Sequence, residues 1–146
     1  IVAGADIIVA ASDVRFVAAY AGIGYSCDAG SSIMFTRRMG QARARRYLLL
    51  NQTLAAEEAQ QCGLVDIIAA PEALQEKAAE IAAKLAQGPT KAFGATRRLL
   101  LSAYDQPLET QLELEAQTLA AIISTADQSE GLTSFSEKRK PQFIGK

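Results

Sequence analysis

A chain of 146 residues has the length of one domain and can bury a core without a disulfide framework. Its 15 basic and 16 acidic residues leave a formal net charge of −1, so no global charge points to nucleic acid or to a membrane surface. Histidine is absent and the two cysteines, Cys27 and Cys62, lie far apart, which excludes the usual zinc sets and Ser-His or Cys-His catalysis within the chain; no metal is expected. Two reduced thiols fit a cytoplasmic protein. No apolar run reaches the roughly 18 residues of a membrane span, so no membrane partner is expected. The start, Ile1-Val2-Ala3-Gly4-Ala5, begins in mid-pattern without an initiator Met, a helix cap or a signal-peptide basic region, and an upstream portion is expected.

Residues 1–5 have the composition of a small-residue helix end. Ile7-Ile8-Val9-Ala10-Ala11 is short, apolar and β-branched, as suits a buried strand, and residues 14–17 alternate weakly as a second one. An irregular loop over 22–32 follows, with Gly22, Gly24 and Gly30 around a single acid, Asp28. Glycines there permit backbone conformations closed to other residues and a close ligand approach, whereas an Asp before a helix is also an ordinary turn or helix-start residue. Both readings of Asp28 are open on the residues alone.

A helix is predicted from Ser31 to Met39, interrupted at Gly40, and a second over 41–50. Arg37, Arg38, Arg43, Arg45 and Arg46 make this region basic, either as a solvated helical face or as contacts to phosphates of an anionic ligand. Thr53 sits where an N-cap belongs, Glu57 and Glu58 suit the next helix's dipole, and Gly63 ends that helix before a short strand over 64–68. Pro71 opens a helix whose Leu74, Ala78, Ile81, Ala82 and Leu85 fall at helical spacing and are predicted core, stopped by Gly88-Pro89. Phe93, Arg97, Leu100 and Tyr104 mark another; after Pro107, Leu108, Leu112, Ala116, Leu119 and Ile123 share one face; a last helix runs over 127–138. The fold class is therefore α/β, divided into residues 1–70, with the strands and the active-site loop candidate 22–32, and 71–146, almost continuous helix that needs an apolar partner, its own sheet or another subunit.

Several segments together resemble the C-terminal half of the crotonase superfamily, the enoyl-CoA hydratase/isomerase family. They are Ala5-Asp6-Ile7-Ile8-Val9-Ala10, the stretch 16–30, Arg38-Met39-Gly40, Leu54-Ala55-Ala56-Glu57-Glu58-Ala59 with Gly63-Leu64-Val65, and Glu130-Gly131 with residues 135–143. The resemblance implies a crotonase-like β-β-α spiral followed by a helical region for packing in a homotrimer, often paired as a hexamer. It implies an acyl-CoA thioester as partner, with coenzyme A as part of the substrate and no separate cofactor. It also implies an oxyanion hole of two backbone N–H groups, one from an upstream half and one from a glycine-rich turn just before Ile1.

Hydratases of the family carry one glutamate ahead of Ile1 and another at the position of Tyr20, and a phenol cannot stand in for that carboxylate. Asp28, eight residues after Tyr20, instead matches the aspartate of two other branches. In isomerases acting on unsaturated or ring-opened acyl-CoAs, including the epoxyphenylacetyl-CoA type of aromatic degradation, it would be a general acid/base. In 4-chlorobenzoyl-CoA dehalogenases it would be a nucleophile forming an aryl ester. The isomerase is the favoured expectation, the dehalogenase its alternative, and a fragment or degenerate paralogue that only binds CoA or assembles is a third. Tyr20, Gly22, Tyr25 and Cys27 are implied substrate-pocket residues; Lys138 is implied at a CoA phosphate or the adenine end, and Leu119 beneath the adenine.

Overall fold

The computed structural model describes residues 2–146; Ile1, part of the expected terminal helix, lies outside them. Two compact units are present, one ending at Ala79 and the other beginning at Glu80, so the boundary falls within a helix.

In the first unit, a 3₁₀ turn over Val2–Gly4 precedes β1 (Val9–Ala11) and β2 (Arg15–Val17). Then come α1 (Ser31–Met39), α2 (Gln41–Leu49), β3 (Thr53–Ala55), α3 (Ala56–Gln61) and β4 (Ile67–Ala69). Strand β1 pairs parallel to β4 with Val9 opposite Ile67, and β2 pairs antiparallel to β3 with Phe16 opposite Leu54. Between these ribbons and the helices lies a core of Ile8, Ala10, Ala18, Met39, Ala44, Tyr47, Ala59, Leu64 and Val65. Nearly half of these residues are alanines, which let helices approach the strands closely, and the larger side chains fill the remaining space.

Two local expectations are corrected first. Thr53 lies in β3 and is not the N-cap; Ala55 holds that position before α3, and Glu58 reaches back so that its carboxylate accepts the Ala55 N–H at 3.1 Å. The strand predicted over 64–68 begins at Ile67, because the Leu64 and Val65 amides both donate to the Ala59 carbonyl, at 2.9 and 3.1 Å, and are spent closing α3. Gly63 makes that closure possible: its φ is +83°, and a Cβ there would stand 2.7 Å from the Arg38 carbonyl oxygen.

Arg38 is also not the solvated or phosphate-facing side chain foreseen. It is mostly covered, and its guanidinium donates to the carbonyls of Ala3, Ala5, Asp6, Gly63 and Leu64 and pairs with Asp66 at 3.1 Å. Asp66 in turn accepts the Ile8 N–H at 2.6 Å, and its own N–H donates to the Ile8 carbonyl. The planar fork of arginine suits this many acceptors.

Helix α4 (Leu74–Ala86) contains no buried residue: Leu74, Ala78 and Ile81 are half-buried and Ala82 and Leu85 exposed, so its predicted core stripe is not core in this chain. The second unit holds α5 (Thr90–Ser102), α6 (Leu108–Ile123) and α7 (Ala126–Ser136). Buried Gln111 pins α6 to α5 by donating to the Leu99 carbonyl and accepting from Ser102 Oγ, each at 3.1 Å. The α6 apolar face is likewise uncovered: Leu108, Leu112, Leu119 and Ile123 are between 53% and 69% exposed. Helical spacing grouped these residues correctly but did not cover them. Thr125 caps α7 by accepting the Gln128 N–H, and the tail folds back onto that helix. Glu130 receives the Arg139 fork and the Gln142 N–H, while buried Asp127 accepts the amides of Ile144 and Gly145 at 2.7 and 2.9 Å.

Removing the Arg38 fork leaves several carbonyls short of donors, so Arg38→Ala is expected to lower unfolding free energy by about 3 kcal/mol, with Arg38→Lys recovering little of it. Urea denaturation checks this. The Arg139 fork and then the Gln142 amide hold the Glu130 carboxyl down at about 2. A depressed carboxyl contributes fully above its ordinary value and loses the contribution as pH falls through the folded one. Hydrogen exchange at the Gln142 amide should therefore stay slow at pH 3 and quicken towards pH 2, whereas Glu130→Gln should show fast exchange at both.

Candidate functional site

Tyr20 follows the end of β2 and starts a 3₁₀ turn over Ala21–Ile23, and its carbonyl accepts the Tyr25 amide at 2.8 Å, closing the loop on itself. The chain then reaches Asp28. Its carbonyl accepts the Ser31 N–H at 2.8 Å across Ala29 and Gly30, whose φ values are +48° and +78°. Two successive left-handed residues make a type I′ turn, which glycine adopts freely and alanine only at a cost of about 1–2 kcal/mol. The turn ends where α1 begins, so Asp28 projects from a tight corner at a helix start rather than from a slack loop.

The side chains of this corner are joined. The Tyr20 hydroxyl donates to Asp28 Oδ1 at 3.0 Å. Ser31 Oγ donates to the Asp28 carbonyl at 2.5 Å and lies 3.3 Å from the Tyr20 oxygen. A serine has one proton, and the shorter contact takes it; the phenol proton goes to the nearer and charged acceptor, Asp28. Among the described residues, Asp28 Oδ2 accepts no hydrogen bond. The carboxylate is exposed in this chain.

Beside the corner is an apolar cavity of about 300 Å³, whose walls include Phe16, Tyr20, Met34, Phe35, Tyr47 and Leu64, with Ala29 and Ser31 at its edge. Phe35 and Tyr47 meet edge to face with ring centroids 5.2 Å apart. Tyr20 thus has its ring in the cavity wall and its hydroxyl on Asp28. Gly22, Tyr25 and Cys27 do not line this cavity; Gly22 and Tyr25 are exposed and Cys27 half-buried. In the second unit, Leu119 is exposed on α6 and Lys138 is exposed with a φ of +54°, just past the end of α7.

Two residues at this corner were not singled out from sequence. Ser31 was legible only as a helix start, although its place three residues after an Asp is a turn signal. Asn51, with φ +48°, follows α2 and packs its amide against Gly22, where a Cβ would stand 2.8 Å from Asn51 Nδ2. Its Oδ1 is buried without a hydrogen-bond partner among the described residues. No group of three or more His, Cys, Asp or Glu side chains suited to a metal occurs among the described residues, and none of their helices is long and apolar enough to cross a membrane.

A turn-held aspartate beside an apolar cavity, on a β–α scaffold continued by helices, defines a class that comparison with known proteins identifies. Residues 1–146 match the family model described as enoyl-CoA hydratase/isomerase. The chain is 36% identical over 143 residues to 1,2-epoxyphenylacetyl-CoA isomerase of Escherichia coli strain K12, covering 98% of this chain and 55% of that one. It is 32% identical over 133 residues to 4-chlorobenzoyl coenzyme A dehalogenase-1 of an Arthrobacter species, covering 91% and 48%. The crystal structure of an enoyl-CoA hydratase subunit I from Geobacillus kaustophilus superposes with a TM-score of 0.93 at 33% identity, over 99% of this chain and 56% of that one. The chain belongs to the enoyl-CoA hydratase/isomerase family and has the crotonase-like fold. It spans about half the length of the curated relatives it matches.

Burial, followed by the neighbouring Cys62 and Tyr20, pushes the Tyr47 phenol in the cavity wall up to about 12. The folded chain therefore holds a proton that an unfolded tyrosine releases near 10, so stability is intact below about pH 10 and falls as pH rises towards 12. Urea midpoints measured across that range should decline, and Tyr47→Phe should remove part of the slope.

Proposed function

We propose that this chain supplies the acid–base side of an acyl-CoA isomerase. The observation that carries the proposal is the exposed Asp28 carboxylate, bonded through one oxygen at 3.0 Å to Tyr20, a residue of the cavity wall, with a phenol and not a second carboxylate at position 20. Asp28 Oδ2 removes a proton from a carbon conjugated to the thioester. The electron pair of that C–H bond spreads onto the thioester oxygen as a dienolate, and the same proton returns from the Asp28 carboxyl to another carbon, so the double bond moves and nothing is oxidised or reduced. Stabilisation of the dienolate oxygen is assigned, by the family resemblance, to backbone N–H groups upstream of Ile1.

On this reading the cavity takes the acyl group, Tyr20 is part of its wall, and Gly22, Tyr25 and Cys27 flank the approach to it. Lys138 meets a phosphate or the adenine end of coenzyme A, Leu119 underlies the adenine, and the assembly is a homotrimer or a hexamer. The relative named as a dehalogenase favours a second reading, in which Asp28 Oδ2 attacks an aryl carbon, displaces chloride and forms an ester.

In full-length protein supplied with an unsaturated acyl-CoA, Asp28→Asn is expected to lower kcat by roughly 10²- to 10⁴-fold, the range for losing a general acid–base group. Unchanged turnover in that variant overturns the role. Chloride release from an aryl-CoA, with a transient mass gain on Asp28, selects the second reading. Thioester binding by calorimetry without turnover would mark a CoA-binding protein instead.

A further inference from the structure

Resting on the reading of Asp28 as the acid–base group, we propose that Tyr20 is its positioning residue: the phenol occupies Oδ1 and leaves Oδ2 as the one oxygen that takes and returns the proton. A carboxylate on a short side chain turns about its last bond, and its two oxygens exchange places unless something distinguishes them. Here the Tyr20 hydroxyl does so at 3.0 Å. The backbone of Asp28 is held independently, by Ser31 N–H at 2.8 Å and Ser31 Oγ on the Asp28 carbonyl, and by the left-handed pair Ala29 and Gly30. Main chain and side chain are therefore fixed by different partners.

A ring that only filled the cavity wall would need no hydroxyl. That of Tyr20 is spent on a charged acceptor, Asp28 Oδ1. The phenol does not touch the reacting atoms in this scheme; it acts through Asp28. A base that must deliver the same proton to a second carbon gains from this, since a carboxylate free to turn loses alignment between the two transfers.

The test uses full-length protein and an unsaturated acyl-CoA. Tyr20→Phe keeps the ring and should lower kcat roughly 10- to 100-fold with KM within about twofold of wild type, the scale expected for misplacing a catalytic group. In the Asp28→Asn background, adding Tyr20→Phe should cost nothing further, because a residue acting through Asp28 has nothing left to position. Ser31→Ala should reduce kcat by a smaller factor. If Asp28→Asn is inactive while Tyr20→Phe keeps the wild-type kcat, or changes KM alone, the positioning role is overturned and the reading of Asp28 stands. If Asp28→Asn is fully active, that reading and this proposal both fall. Should Tyr20→Phe not fold, 3-fluorotyrosine incorporated at position 20 alters donor strength without removing the group; a changed kcat supports the proposal and an unchanged one overturns it.

Discussion

The first unit depends on one guanidinium. Arg38, in the last turn of α1, donates to carbonyls on both chain segments that enter the parallel pair, Ala3, Ala5 and Asp6 before β1 and Gly63 and Leu64 before β4. Through Asp66 it also reaches the Ile8 amide, which sits next to the first β1–β4 pairing. Three-residue strands contribute few ladder bonds, so their register would be weakly specified if side-chain bonds did not fix it. Arg38 supplies that specification and ties α1 to it. Because α1 begins at Ser31, the same contact that sets the sheet register sets the position of the Asp28 corner at the other end of the helix.

That linkage explains how a carboxylate on an exposed loop is nonetheless held. The corner is anchored on one side by α1 and on the other by Tyr20, whose ring packs in a wall shared with Phe16, Met34, Phe35 and Tyr47. Ala29 in a left-handed conformation is a local cost, and such costs persist only where the surroundings fix the backbone. Asn51 packs beside the loop: a Cβ at Gly22 would stand 2.8 Å from its Nδ2, so the Asn51 side chain would have to shift to admit one.

The elements bounded by glycine were legible in sequence. Ser31–Met39 was predicted with both ends correct, since Gly30 and Gly40 interrupt helical geometry whatever surrounds them. Thr53 was misread because an N-cap motif and a strand start share residue types, and pairing with Val17 decided between them. Residues 64–68 looked like a strand from composition, but the helix closure at Ala59 claimed the amides of Leu64 and Val65. Leu112, Leu119 and Ile123 show a different limit: periodicity says which residues share a face and not what that face meets. At the site, Asp28 stood out as a lone acid among glycines, whereas the bond from Tyr20 was not legible. A spacing of eight residues through an irregular loop carries no geometry until the turn over Ala21–Ile23, closed by the Tyr25 amide on the Tyr20 carbonyl, folds it back.

The replacement of a second carboxylate by a phenol has a chemical consequence on the proposed reading. Adding water across a double bond calls for one group to activate the water while a proton is delivered to carbon, and two carboxylates divide that labour. On that reading this chain contributes one carboxylate at the corner, Asp28, engaged on one oxygen by the neutral Tyr20 donor. Moving a proton between two carbons of the same substrate needs only that base, provided it stays aligned while the anion exists. On the proposed reading Tyr20 supplies alignment where a hydratase of the family would carry a carboxylate, and the same substitution that disfavours hydration suits this corner to proton transfer between two carbons.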